Sequence, residues 1–185
     1  LQAITLFIIT DMVWRRIQQN GWRKTFLVFD ECWRLLESDA GAAFIGDTFR
    51  TFRKYNASAI AISQNIDDFA MAKVANAILS NSALKWILSQ RGANRRRLAE
   101  VLNLNEQEVQ LVDSLHQERG HYSEAFLIAG EDRSVVAIEP TAKEYWLATT
   151  DPRDIAALRE AELKCETLDH AIAELALRYP HGVSQ

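Results

Sequence analysis

The sequence predicts an α/β fold in which a mostly parallel sheet is flanked by helices. Three short apolar runs, at residues 25–29, 59–62 and 84–88, have the length and composition of buried strands. Stretches with helical periodicity separate them, and this alternation is typical of parallel sheets because parallel strands need a crossover connection. With 185 residues, of which 48% are hydrophobic, the chain is long enough to bury a core around such a sheet.

The first third of the chain is predicted to contain a helix, a strand and two more helices. Apolar residues follow helical spacing over 1–19, and Asn20-Gly21 is predicted to end this helix. After the strand at 25–29, we expect a short helix over 31–36 and a longer helix over 44–56. The longer helix would provide the crossover to the strand at 59–62.

The remainder of the chain is predicted to hold two helices, a hairpin and a helical end. The helices cover 94–102 and 106–115, with Asn105 as an N-cap. Strands at 124–128 and 134–138 flank turn-forming residues, so we expect them to pair in an antiparallel hairpin.

After Pro140 we expect helices over 142–148 and from Asp154 onward. In the second of these, one apolar face is traced by Ile155, Leu158, Cys165, Leu168, Ile172 and Leu175. The predicted domains are therefore 1–140, which contains the sheet and the hairpin, and 141–185, a helical segment packed on the same domain.

Composition limits the partners of the chain. A net charge of -4 and a pI near 5.6 argue against a surface dominated by attraction to nucleic acid or anionic lipid. Cys32 and Cys165 lie far apart, which suits a reduced cytosolic protein and predicts no zinc site. The apolar segment 3–10 is shorter than the roughly 20 residues needed to cross a bilayer. Membrane association is therefore expected only through partners.

Two adjacent carboxylates follow the first strand. Asp30 and Glu31 come directly after an apolar run, in the pattern of a Walker B strand. In such a strand the first acid holds Mg²⁺ through water, and the second orients or deprotonates the attacking water. The alternative is an acidic helix start, because carboxylates interact favourably with the positive end of a helix dipole.

A polar residue follows the second strand. Gln64 would lie at the same sheet edge as the acidic pair, because the carboxyl ends of neighbouring parallel strands meet there. Its amide could bond both the γ-phosphate of a nucleotide and the attacking water. The alternative is a glutamine that caps a loop.

Cationic and aromatic residues leave several interpretations open. Arg50 and Arg53 lie between the two strands, and one of them could act as an arginine finger on a neighbouring subunit, or both could simply face solvent. Arg91 and residues 95–97 form a denser basic cluster, which could bind nucleic acid phosphates or simply lie on a solvated helix face. The solvated face is favoured, because no aromatic residues are interleaved with the arginines to stack on bases. Trp33 is assigned to the core or to an interface.

The partner of a Walker B strand is missing from the sequence. Nowhere does the chain contain a glycine-rich loop ending in Gly-Lys-Ser/Thr, which cradles nucleotide phosphates. We therefore expect the chain to be the second part of an ATPase domain, truncated on its N-terminal side and inactive alone.

An ordered set of segments resembles the TraC/TrbE-type conjugative-transfer ATPases of type IV secretion systems. The first is Phe29-Asp30-Glu31-Cys32-Trp33-Arg34-Leu35-Leu36, which is similar to the extended Walker B of that family. The similarity continues through 52–56, 61–69, 120–124 and 147–152, so it extends over nearly the whole chain. Because each segment recurs with the appropriate strand or helix between, the set is more specific than Walker B alone.

This resemblance implies a RecA-like P-loop ATPase core, with ATP and Mg²⁺ as ligands. It also implies a hexamer at the cytoplasmic face of the bacterial inner membrane, in contact with secretion-channel and coupling proteins. By resemblance, Asp30 is the magnesium-associated acid, Glu31 the catalytic glutamate and Gln64 the sensor. Arg53, or else Arg50, is the arginine that acts in trans.

Two other functions stay open at this point. The chain could be a docking module without catalytic activity, which would bind channel or coupling proteins through its C-terminal helices. It could also belong to a DNA-translocating relative of the HerA/FtsK type. Catalysis would depend on Glu31, docking would be insensitive to its replacement, and DNA pumping would be stimulated by DNA.

Overall fold

A computed structural model describes residues 2–19, 23–70, 74–89 and 95–183 of the chain. These residues form two compact units. Unit 1 consists of residues 1–85 and 92–109, and unit 2 of residues 86–91 and 110–185. This division does not coincide with the predicted boundary at residue 140, which stays a prediction of domain organisation. The predicted helix stop at Asn20-Gly21 lies outside the described residues.

Unit 1 begins with a helix and then alternates strands with helices. Its elements are α1 (Gln2–Gln19), β1 (Thr25–Phe29), α2 (Trp33–Leu36), α3 (Asp39–Thr51), a 3₁₀ turn (Phe52–Tyr55), β2 (Ala57–Ala61), α4 (Ile66–Ala70) and α5 (Ala75–Asn81). Strand β3 (Leu84–Leu88) follows, and then α6 (Arg95–Leu102) and α7 (Glu106–Asp113). Strand β3 and helix α7 each have residues in both units. The helix predicted over 44–56 starts earlier, at Asp39, and ends at Thr51, where the 3₁₀ turn replaces it. The other helices and strands predicted for this part of the chain are confirmed, with small shifts in their bounds.

Strands β1 and β2 pair in parallel, with Phe29 opposite Ala61 at their carboxyl ends. The crossover between them is α3, whose start is fixed by Ser38, since its side chain accepts the backbone N–H of Gly41. Residues of β1 and α3, including Phe29 and Ile45, form a buried cluster. The sheet edge that follows β1 and β2 is therefore held firmly in place by this core.

The opposite face of the β1–β2 pair is apolar and exposed. Phe26 and Val28 of β1 are 67% and 51% exposed, and Ile60 of β2 is 42% exposed. Parallel strands in α/β proteins are usually covered on both faces.

The strand predicted at 84–88 is present as β3, but it does not extend the β1–β2 pair. It lies beside β5 in a separate four-stranded sheet. An apolar run indicates a strand without specifying its partner, so the sequence could not distinguish the two sheets. The α/β class is confirmed, and the described residues combine a parallel pair with a separate sheet that contains antiparallel pairs.

Unit 2 contains a hairpin followed by three helices. Its elements after α7 are β4 (Gln117–Glu118), β5 (Tyr122–Ala129), β6 (Asp132–Ile138), α8 (Ala142–Ala148), α9 (Pro152–Glu162) and α10 (Leu168–Arg178). The predicted antiparallel hairpin is confirmed, with Ala129 opposite Asp132 and Gly130 in the turn at a φ of 64°. Asn105 also caps α7 as predicted, because its side chain accepts the N–H of Glu108.

The prediction of a single long helix from Asp154 onward is wrong. Helix α9 ends at Glu162, and α10 starts after Thr167, whose side chain accepts the N–H of His170. This cap competes with continued helix, and Leu163 in the break is 88% exposed. Trp146, Ile172 and Leu175 nevertheless form a buried cluster, so the apolar face is shared between separate helices.

A buried carboxylate ties the C-terminal residues of unit 2 to its helices. Asp154 is 0% exposed, and its Oδ2 accepts hydrogen bonds from Tyr145 Oη at 2.6 Å and Thr149 Oγ1 at 2.9 Å. Its Oδ1 accepts the backbone N–H of Val183 at 2.8 Å. Arg119 lies 3.8 Å from Asp154 and also pairs with Asp151. All these groups compensate the burial of the charge.

Close approach of the chain to this carboxylate requires Gly182. Its φ is +99°, and a Cβ at this position would lie 2.5 Å from Tyr145 Oη. We expect Gly182→Ala to lower the free energy of unfolding by about 1–3 kcal/mol, because both strain and a clash would result. The measurement is urea unfolding followed by circular dichroism.

Gly130→Ala is the matched control for this prediction. Gly130 also has a positive φ, +64°, but nothing lies within 4 Å of a Cβ built there. Equal loss of stability in the Gly130 and Gly182 variants would show that the clash at Gly182 is unimportant.

No helix in the described parts of the chain is both long and apolar enough to cross a membrane.

Candidate functional site

The acidic pair occupies a tight turn immediately after β1. Asp30 is exposed, and its Oδ1 accepts the backbone N–H of Glu31 at 3.0 Å. Glu31 has a φ of 50°, which is uncommon for a residue with a side chain. The following N–H, of Cys32, donates to the carbonyl oxygen of Ile62 at 3.0 Å. The strained turn is thus held by the neighbouring strand, and such strain is often found at functional sites.

Gln64 reaches across from the end of β2 to the second acid. Its Nε2 donates to Glu31 Oε1 at 2.6 Å. The other carboxylate oxygen of Glu31, Oε2, accepts the indole N–H of Trp33 at 2.6 Å. Both oxygens of Glu31 therefore bind neutral donors, one from each side.

These two donors lower the pKa of Glu31. The hydrogen bond from Trp33 contributes most and that from Gln64 next, because both favour the charged carboxylate. Glu31 is consequently an anion at neutral pH. Since its pKa is depressed in the folded chain, its contacts stabilise the fold above the ordinary glutamate range and are lost as pH falls through the lowered pKa.

An open depression of about 420 Å³ lies beside the acidic pair. Its lining residues combine acids, amides, an indole and a guanidinium, and they are Glu31, Trp33, Arg34, Gln64, Asn65 and Asp68. The guanidinium carbon of Arg34 lies 5.3 Å from the centroid of the Trp33 ring. Ser63 donates a hydrogen bond to Asp68, which fixes the start of the segment that carries Gln64.

Cys32 lies beside the site but packs into the core. It is 0% exposed, and burial together with the charge of Asp68 raises the pKa of its thiol to about 11. A thiol with a raised pKa is a poor nucleophile, since the thiolate is the reactive form. Cys32 therefore has a packing role.

The structure brings Asp30, Glu31 and Gln64 together, as the sequence predicts. Arg50 and Arg53 are exposed, on α3 and on the 3₁₀ turn respectively. Arg50 Nη1 lies 3.4 Å from Asp47 Oδ1, in an exposed pair one turn away on the same helix. The action of either arginine on a neighbouring subunit stays a prediction.

Two arginines of the basic cluster form ion pairs within unit 1. Arg97 Nε lies 3.3 Å from Asp67 Oδ1, which connects α6 to α4. Arg96 Nε lies 3.0 Å from Glu100 Oε1 on the same helix. Arg91 lies outside the described residues. The exposed Arg96 agrees with the interpretation of the cluster as a solvated helix face, whereas Arg97 forms a contact between two helices.

The donors at this site fit a magnesium ion that is bound mainly by water and phosphate. In the described residues, no group of three or more His, Cys, Asp or Glu side chains could hold a metal ion by itself. Mg²⁺ usually keeps several waters and uses one or two carboxylates together with substrate phosphates. The exposed carboxylate of Asp30 is a suitable ligand of this kind.

Sequence reasoning missed part of the site. Trp33 was assigned to the core or an interface, but it is half-buried and its N–H binds Glu31. Its position two residues after an acid is visible in the sequence, although the contact depends on the left-handed turn at Glu31. Asn65 and Asp68, which also line the depression, follow Gln64 closely in the chain.

Several known proteins are similar to this chain in sequence. The type IV secretion system protein virB4 of Bartonella quintana is 31% identical over 115 residues, which cover 62% of this chain and 14% of that protein. The type IV secretion system protein PtlC of Bordetella pertussis is 28% identical over 115 residues, with the same coverage of 62% and 14%. The chain thus spans about 14% of the length of these curated relatives.

A solved structure is also similar. The structure of VirB4 of Thermoanaerobacter pseudethanolicus matches with a TM-score of 0.62 and 29% identity, covering 82% of this chain and 38% of that chain. The TraG P-loop domain family matches residues 1–179. These matches support a type IV secretion ATPase of the TraC/VirB4 type, which confirms the resemblance to TraC/TrbE-type ATPases drawn from the sequence. The chain therefore belongs to the TraG P-loop domain family.

Proposed function

We propose that this chain carries the acidic half of a nucleotide-hydrolysis site in a type IV secretion motor ATPase. The observation that carries the proposal is the 2.6 Å hydrogen bond between Gln64 Nε2 and Glu31 Oε1. It joins the residues that follow two adjacent parallel strands, where ligands bind in open α/β sheets. Membership of the TraG P-loop domain family supports nucleotide as the ligand.

Each residue of the site would have a separate task in hydrolysis. Glu31, an anion at neutral pH, orients the attacking water and accepts its proton. Gln64 moves its amide from Glu31 to the γ-phosphate and the water, which links nucleotide state to the segment that follows β2. Asp30 would hold Mg²⁺ through water, and that ion would supply neutralisation of the charge on the phosphate oxygens.

We propose that a phosphate-binding loop from outside these 185 residues completes the site. The 185 residues contain no glycine-rich loop ending in Gly-Lys-Ser/Thr, and the matched relatives are several times longer. We propose that the chain alone does not hydrolyse ATP, and that the intact protein assembles as a hexamer with Arg53 or Arg50 acting in trans. Hydrolysis would drive pilus assembly or substrate transfer.

The named relatives support a place in the secretion machinery. The Bartonella, Bordetella and Helicobacter pylori relatives are each described as type IV secretion system proteins. We therefore propose secretion-channel and coupling proteins as partners, at the cytoplasmic face of the bacterial inner membrane. Attachment to the membrane would be indirect, through those partners.

Docking without catalysis is the second candidate function. Large apolar side chains project from the helical part of unit 2, where Leu163 and Leu177 are 88% and 89% exposed. Leu177 lies on α10 and Leu163 in the break between α9 and α10, and exposed apolar side chains suit binding to another protein when they form part of a larger patch. This candidate predicts partner binding that is insensitive to changes at Asp30 and Glu31.

ATP turnover by an extended protein tests the proposal. The extended protein is the natural polypeptide from its nearest upstream glycine-rich loop through residue 185, assayed with and without DNA. Mg²⁺-dependent turnover that DNA does not change is expected of a secretion motor. Strong stimulation by DNA would favour a DNA-translocating relative of the HerA/FtsK type. No turnover by a folded, assembled protein would favour the docking module.

Gln64→Ala is expected to lower kcat of the extended protein by about 10²-fold, because a donor to the transition state is lost. Gln107→Ala is the matched control, since Gln107 is exposed on α7. The measurement is steady-state release of phosphate. Equal turnover by both variants would remove Gln64 from the mechanism.

A further inference from the structure

We infer that Trp33 is a positioning residue which fixes the carboxylate of Glu31, while Gln64 is the donor that leaves when nucleotide binds. The inference rests on the proposed function, because it concerns how the same glutamate is prepared for its task. It assigns unequal roles to two hydrogen bonds of equal length, 2.6 Å each. The difference lies in how each donor is held.

Trp33 is the more firmly held donor. It begins α2, within one turn of Glu31, and its side chain is half-buried. The guanidinium of Arg34 lies over its ring at 5.3 Å, which restricts rotation of the indole. Release of this donor would require the half-buried indole to turn away from both Glu31 and Arg34.

Gln64 is the more easily released donor. It is exposed, and it lies in the segment between β2 and α4 rather than in a helix. Its long amide side chain can exchange partners by rotation about side-chain bonds, which has a low barrier at an exposed position. Nucleotide phosphates offer it acceptors that compete with Glu31.

The difference between the donors gives the carboxylate a defined orientation. With Oε2 held by Trp33, departure of Gln64 frees Oε1 alone. Oε1 then accepts the proton of water, and the indole bond prevents the carboxylate from rotating away. Trp33 would therefore act through Glu31 without touching the nucleotide.

Titration of the nucleotide-free 185-residue chain by NMR tests the hydrogen bond directly. The probe is the indole ¹⁵N–¹H resonance of Trp33, identified by its loss in Trp33→Phe. We expect it to shift as acid protonates Glu31, and to lose this shift in Glu31→Gln. An indole resonance that is independent of acid pH, or that shifts equally in Glu31→Gln, would overturn the inference.

Kinetics of the extended protein test the positioning role. Trp33→Phe keeps an aromatic ring but removes the N–H, so we expect kcat to fall about 10-fold with little change in KM for ATP. Trp14→Phe is the matched control, since Trp14 packs edge-on against Phe52 and Tyr55.

The outcomes distinguish this inference from the proposed function. If Glu31→Gln abolishes turnover but Trp33→Phe has the wild-type kcat, the positioning role of Trp33 is wrong and the proposed function stands. If Glu31→Gln retains turnover, the proposed function itself fails. Loss of rate in Trp14→Phe equal to that in Trp33→Phe would indicate a general packing effect and would overturn the positioning role.

Discussion

Glu31→Gln is expected to lower kcat for ATP by about 10²–10⁴-fold in the extended protein, the range typical of a lost general base. The amide keeps the size of the carboxylate and can still accept the indole N–H of Trp33 at one oxygen. It cannot accept a proton from water at neutral pH. Binding of ATP should therefore be retained while its hydrolysis is lost, so KM changes less than kcat.

Glu37→Gln is the control for that substitution. Glu37 is exposed at the end of α2, so the same chemical change is made a short distance along the chain. Its turnover should equal that of the unchanged protein. If Glu31→Gln hydrolyses ATP as fast as Glu37→Gln, Glu31 has no catalytic role. The acidic pair would then only stabilise the start of a helix through its dipole.

Asp154→Ala is expected to cause the largest loss of stability, about 3 kcal/mol or more, because several donors would lose a buried acceptor. Those donors are the hydroxyls of Tyr145 and Thr149 and the backbone N–H of Val183. All these donors lie in unit 2, so the substitution should lower the free energy of unfolding of unit 2 most. Urea unfolding monitored by tryptophan fluorescence measures the change, since Trp146 is buried in this unit.

Two further variants keep the Asp154 prediction testable. Asp154→Asn preserves the shape of the side chain and one acceptor, so it should lose less stability than Asp154→Ala and allow folding if the alanine variant does not fold. Asp169→Ala is the matched control, because Asp169 forms an exposed pair with Lys143. Equal stability of Asp169→Ala and Asp154→Ala would contradict the structural role of Asp154.

The acidic edge of unit 1 could be predicted from the sequence because its signals are local. A buried strand ends at Phe29, two acids follow, and the next strand leads to Gln64. Parallel pairing then brings these ends together by geometry alone. The hairpin around Gly130 was equally predictable, since its turn residues and flanking strands are adjacent in the chain.

Features that depend on distant or backbone-specific contacts could not be predicted. The strand that pairs with β3 is determined by tertiary packing. An apolar run predicts a strand but does not indicate which sheet the strand joins. The contact between Trp33 and Glu31 requires the positive φ of Glu31, which helix-start patterns do not suggest. The break between α9 and α10 depends on a side-chain cap at Thr167, which interrupts an otherwise continuous apolar pattern.

The nucleotide retained by the extended protein tests the central claim most directly. Wild-type protein and Glu31→Gln would be incubated with Mg²⁺ and ATP, separated from free nucleotide, and the bound nucleotide identified by chromatography. The account predicts ADP from the wild type and ATP from Glu31→Gln, because the variant binds nucleotide but cannot activate water. Recovery of ADP from both proteins would show that Glu31 is not the catalytic glutamate.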